Sequence, residues 1–74
     1  MKNNLNIIIE KDKYGFYAYC PELKGCQSQG ETFEETMENI KEAIELYIET
    51  LSSVELAEIL DKEIYTTNIE VPVA

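Results

Sequence analysis

Leu5, Ile7 and Ile9 alternate with Asn4, Asn6 and Glu10, and this period of two predicts a β-strand over residues 4–10. Ile8 falls among the polar positions, so the strand is expected to be central, paired on both sides. Lys11-Asp12-Lys13-Tyr14-Gly15 reads as a hairpin turn in which Gly15 takes positive φ. The β-formers Phe16-Tyr17-Ala18-Tyr19-Cys20 predict a second strand, antiparallel to the first because the connection is short. Pro21 stops it, and Gly25 permits a reversal at the end of the loop 21–25. Residues 26–30 predict a short third strand, paired with the second or lying at a sheet edge.

The period then changes. Thr32 is a good helix N-cap and Glu35 follows three residues later, the spacing of a capping box. Phe33, Met37, Ile40, Ile44, Tyr47 and Leu51 recur every three or four residues and form an apolar stripe expected to pack on the sheet. Glu34, Glu38, Glu42, Glu45 and Glu49 form a second stripe, about 140° away around the helix. Ser52-Ser53 breaks the helix, and Ser53 is placed to cap a short second helix over 54–60. Residues 63–73 return to β character, with Tyr65, Thr67, Ile69, Val71 and Val73 on one parity and Pro72 suited to an edge. The predicted order is β-β-β-α-(α)-β. It describes an α+β layer, a small antiparallel-rich sheet with one long amphipathic helix on one face.

Charge narrows the function. Fifteen acidic residues against six lysines leave a net charge of −9 on 74 residues. Residues 1–30 carry net +1, residues 31–63 net −9 and residues 64–74 net −1, so the imbalance sits in the helical segment. With no basic patch to displace counterions from phosphate, direct binding of nucleic acid is not expected. A concentrated acidic field is suited to steering in a basic partner. No apolar run approaches the ~20 residues of a membrane span, and Met1-Lys2-Asn3-Asn4 leads into no signal-peptide core. A cytoplasmic protein without a membrane partner is the expectation. A chain this short buries only about 60% of its unfolded surface, which favours a homodimer or higher homo-oligomer.

The chemistry available is sparse. The chain has no His, Arg or Trp, which removes the commonest general base, the commonest metal ligand and the Ser-His and Cys-His nucleophile pairs. Cys20 and Cys26, the two cysteines, stand six apart without a CxxC motif and cannot fill a four-ligand zinc site in one chain. They are expected to be reduced and structural. No cofactor, metal site or catalytic residue is assigned, and an enzyme is not expected.

The ordered motifs of residues 5–50 carry a family resemblance. The run Gly15-Phe16-Tyr17-Ala18-Tyr19-Cys20-Pro21-Glu22-Leu23-Lys24-Gly25-Cys26 resembles the segment of HicB-like antitoxins that ends P-(D/E)-L-x-G-(C/V). Gln29-Gly30-Glu31-Thr32-Phe33-Glu34-Glu35 resembles their Q-G-(D/E)-T-x-E-E-A turn into the helix, and Glu38-Asn39-Ile40-Lys41-Glu42-Ala43-Ile44 their E-N-x-x-E-A-I helix. Thr36 stands where that pattern has alanine. The resemblance implies one HicB-like domain over residues 1–74, with a partial RNase-H-like β-β-β-α-β fold. It implies oligomeric assembly and neutralisation of a small, basic, mRNA-cleaving HicA-type toxin by protein–protein contact. The C-terminal DNA-binding module of longer members has no counterpart in residues 1–74. The alternative is an orphan homo-oligomeric domain of the same fold with a different partner. For the partner surface the expectation is an acidic set, Glu38, Glu42 and Glu45, with buried anchors supplied by Tyr17, Tyr19 and the loop around Glu22.

Overall fold

The structure is a computed structural model and describes residues 4–73. Three strands, β1 (Ile8–Asp12), β2 (Gly15–Tyr19) and β3 (Gln27–Gly30), form an antiparallel sheet in the order β1-β2-β3. Two helices follow, α1 (Phe33–Ile48) and α2 (Ser53–Leu60). Asp12 and Gly15 are partners in the β1–β2 ladder, so Lys13 and Tyr14 alone make the turn. Asp12 Oδ1 accepts from the Tyr14 amide at 2.8 Å, and Gly15 has φ +133°. Between β2 and β3 the chain closes more tightly. The Cys20 amide donates to Cys26 O at 3.1 Å and the Leu23 amide to Cys20 O at 3.1 Å, while Gly25 has φ +81°.

Residues directly opposite in a ladder share a face. The register Ile9↔Ala18↔Ser28, one step from Tyr19↔Gln27 and Ile8↔Tyr19, therefore divides the sheet. One face carries Ile9, Ala18 and Ser28, continued by Ile7, Cys20 and Cys26. The other carries Ile8, Glu10, Tyr17, Tyr19, Gln27 and Gln29. Helix α1 covers the first face through Thr36, Ile40 and Ile44, its three buried residues. Ala18, Cys20, Leu23, Cys26, Ile40 and Ile44 form the core, and Leu5, Ile7, Ile9, Met37 and Tyr47 pack around it.

Thr32 caps α1 as its sequence predicts, with Oγ1 accepting from the Glu35 amide at 3.0 Å. The return half of the box is displaced by one residue, because Glu35 Oε1 accepts from the Glu31 amide at 2.9 Å rather than from Thr32. In α2 the cap is Ser52, not Ser53, and its box with Glu55 is complete. The buried line of α1 also differs from the apolar stripe read from sequence. Thr36 is fully buried while Phe33 is 48% exposed, because the sheet meets the helix along Gly30, where only a small residue on α1 fits.

Two further expectations are corrected. The first strand starts four residues later than predicted and is an edge strand, not a central one. Residues 4–7 lead into it without ladder pairing. Residues 63–73, predicted as a final strand, form no strand. A strand exists only by pairing, and no sheet edge in the chain engages this segment.

Candidate functional site

Antiparallel ladders alternate close and wide pairs, and the Cys20–Cys26 bond fixes the phase. It makes Ala18↔Ser28 a bonded pair and leaves the backbone groups of Gln27 and Gln29 pointing away from β2. Asn39 of α1 meets one of them, its Nδ2 donating to Gln29 O at 2.9 Å. The same alternation on β1 turns the backbone groups of Ile9 and Lys11 outward, on the edge away from β2. The β3 edge is therefore partly capped by the helix. The β1 edge has no such cap among the hydrogen bonds of the described residues.

The expected partner residues fall in three places. Tyr17 and Tyr19 lie together on the sheet face that α1 does not cover, with ring centroids 5.8 Å apart. The Tyr17 hydroxyl donates to Gln27 Oε1 at 2.6 Å, which holds the ring upright beside a cleft of about 380 Å³ reaching Pro21 and Lys24. Glu38, Glu42 and Glu45 are all exposed on α1. They lie roughly 160° around the helix from Thr36, Ile40 and Ile44, so they face solvent on the opposite side of the molecule from the tyrosines.

Glu22 belongs to neither surface. It is only 5% exposed. Its carboxylate accepts from the Asn6 amide at 3.0 and 3.2 Å and from Asn6 Nδ2 at 2.7 Å. The Cys20 thiol donates to the same group at 3.6 Å. These bonds tie the segment before β1 to the β2–β3 loop, as a latch. Asn6, Gln27 and Asn39 were not singled out from sequence. Asn39 sits within the E-N-x-x-E-A-I motif, the one signal that pointed to it.

Cys20 and Cys26 are free and buried. Burial pushes the Cys20 thiol up from its ordinary 9.0, opposed by the backbone bond to Leu23 and reinforced by the Glu22 charge. Burial alone raises Cys26. Both are thiols rather than thiolates at neutral pH, a poor state for attack or metal capture. Alkylation of the native protein by iodoacetamide is expected to run at least ~100-fold slower than in denaturant, since the reactive form requires opening. Because the folded state binds these protons more tightly, stability is expected to hold below pH 9.0 and to fall as pH rises through the raised thiol values. Native labelling as fast as unfolded labelling would contradict the buried placement.

Among the described residues no group of three or more Cys, Asp or Glu side chains is arranged to hold a metal ion, and no helix is long and apolar enough to cross a membrane. The chain presents three surfaces: an uncovered sheet face with two tyrosines, an acidic helix face and an open strand edge. Those surfaces are framed by the turn and cap residues of a known pattern. Residues 5–72 match the family described as the HicB-like antitoxin of bacterial toxin–antitoxin systems, and the chain belongs to that family. It is similar to a UPF0150 protein of Helicobacter pylori, 49% identical over 70 residues, covering 95% of this chain and 97% of that one. A UPF0150 protein of Archaeoglobus fulgidus is 44% identical over 59 residues, covering 78% and 86%. One of Synechocystis is 59% identical over 49 residues, covering 65% and 62%. No solved structure matches the chain.

Proposed function

We propose that the chain is a single HicB-like domain that neutralises a small, basic HicA-type toxin by protein–protein contact, without catalysis of its own. The amphipathic α1 and the sheet beneath it are read as a partial RNase-H-like fold serving as a scaffold for that contact, and the domain as self-associating. The observation that carries this reading is the exposed acidic face of α1. A protein that cuts RNA must present cations where phosphate lies, and an acidic face can occupy the same position. The helix needs none of Glu38, Glu42 or Glu45 for its own packing, since its buried line and its cap lie elsewhere. Individual surface ion pairs are worth only about 0–1 kcal/mol, so the effect is collective. Tyr17 and Tyr19, on the opposite side of the molecule, offer aromatic area for a contact there instead.

The test pairs this chain with a small basic HicA-type protein. Replacing Glu38, Glu42 and Glu45 together by Gln keeps shape and helix propensity. The association rate at low salt is expected to fall about tenfold and to lose most of its salt dependence, with the melting temperature held or raised. Absence of any micromolar binding by the wild-type chain would sink the antitoxin reading. An association rate that ignores salt would move the contact to the tyrosine face. A second reading, a homo-oligomeric domain with another partner, is favoured by the exposed apolar tail, and it predicts self-association without toxin binding.

A further inference from the structure

Residues 62–73 carry the pattern of a half-buried strand with no sheet. Tyr65, Thr67, Ile69, Val71 and Val73 share one parity, and Thr66, Asn68 and Glu70 share the other. The apolar set is left in solvent, with Tyr65 83% and Ile69 81% exposed. Helix α2, which delivers the segment, has no buried residue and touches the core's surroundings through Ile59. The arm is visible in the overall dimensions. The radius of gyration is 14.4 Å, against about 11 Å for a compact chain of this length.

The same molecule carries a matching vacancy. On β1 the backbone groups of Ile9 and Lys11 point outward, unpaired along an edge strand. Ile7 and Ile9, whose side chains lie on the α1 side, are only partly buried because α1 packs over β2 and β3. A strand laid along this edge with its odd-numbered residues toward α1 would extend the apolar layer past Ile7 and Ile9. It would leave Thr66, Asn68 and Glu70 in water. Pro72 fits the outermost position of such a strand.

We propose that the tail of one copy pairs along the β1 edge of a second copy, so that two chains exchange their last strands and complete each other's sheets. Charge does not oppose this occupant. The acidic excess that would repel a second copy sits in residues 31–63, whereas at the β1 edge Lys11 and Lys13 balance Glu10 and Asp12, and the tail, residues 64–74, carries only net −1. The arm leads away from its own body, which suits pairing in trans over closure in cis. An unprotected edge and an unpaired strand on one chain invite this reciprocal use. The inference deepens the self-association part of the proposed function and does not depend on toxin binding.

A mixture of 15N-labelled and 13C-labelled wild-type chain, read by isotope-filtered NOEs, tests it without altering the protein. Contacts between residues 65–71 of one chain and residues 7–11 of the other are expected, with sedimentation giving twice the 8.5 kDa chain mass. Ile69→Pro, which removes a ladder donor in the tail while leaving the core untouched, should weaken the dimer at least tenfold with the β1–β2–β3 amide pattern retained. Contacts found only within one chain would show closure in cis and overturn the exchange. So would a stable monomer at micromolar concentration, or a dimer in which β1 meets β1. A chain that exchanges tails but ignores a HicA-type protein would sustain this inference and defeat the antitoxin reading alone.

Discussion

Gly30→Ala is expected to destabilise the domain by about 3 kcal/mol, near the top of the range for overpacking. Gly30 is the last residue of β3, and α1 begins three residues later, so the helix's first turn folds directly back over it. A β-carbon there would stand 2.6 Å from Thr36 Oγ1, 2.9 Å from Glu35 Oε1 and 3.0 Å from the Thr36 amide nitrogen. Glu35 can yield, at the expense of its bond to the Glu31 amide. Thr36 cannot, because it is fully buried and its hydroxyl donates to Thr32 O at 2.7 Å. Relief must come from separating helix and sheet, which opens the core at Ala18 and Ile40. For a domain of this size the melting temperature should drop on the order of 15 °C. The partner variant locates the clash. Thr36→Ala, which installs the residue of the family pattern, removes the nearest atom at a cost of about 1 kcal/mol for the lost hydrogen bond. In a double-mutant cycle followed by urea denaturation, the pair should be less destabilising than the sum of the singles by about 1 kcal/mol. A Gly30→Ala variant within ~0.5 kcal/mol of wild type, or additive behaviour of the pair, would mean that the turn is looser than described.

This contact also shows where sequence reasoning reaches its limit. The cap at Thr32, the hairpin at Gly15 and the start of α1 are local events, set by residues within four positions of one another, and they can be read directly. The inward turn of Thr36 is not local. A threonine in a helix reads as a weak helix former, and only the approach of Gly30 makes its position the buried one. The role of Ile8 is misread for a similar reason. An apolar residue on the polar side of a strand suggests pairing on both sides, whereas here it joins Tyr17 and Tyr19 on an uncovered face. The acidic stripe of α1 is legible because exposure follows from the burial of the opposite side. Residues 62–73 have the alternation of a strand, but alternation names no partner, and the chain by itself engages none. Glu22 is the plainest case. Its loop, beside Pro21 and Lys24, reads as a source of anchors for a partner, and the bonds that bury its carboxylate within the chain come from Asn6, sixteen residues earlier.

That dependence leads to the second large effect. Glu22→Ala is expected to cost about 3 kcal/mol, since it removes the acceptor for two amide groups and a thiol at once, and hydrogen bonds to a charged group contribute roughly 1.5–3 kcal/mol each without being additive. The bonds come from the Asn6 amide, Asn6 Nδ2 and the Cys20 thiol. Alanine would leave these donors facing a space that the neighbouring Leu23, itself 1% exposed, is held too firmly to fill. Glu22→Gln keeps one carbonyl acceptor and should recover about half of the loss. Hydrogen exchange separates local from global consequences. The Asn6 amide should lose its protection first and most, because its partner is gone, while amides of β2 and β3 weaken only as far as overall stability does. The same variant decides between the two roles this residue has been given. If Glu22 contacts a partner directly, Glu22→Ala should abolish binding while leaving denaturation unchanged. If it is the latch, the domain should be destabilised, and affinity for a HicA-type protein, measured where the variant remains folded, should stay within about threefold of wild type. The second outcome is the one expected from the burial of its carboxylate and the three donors converging on it.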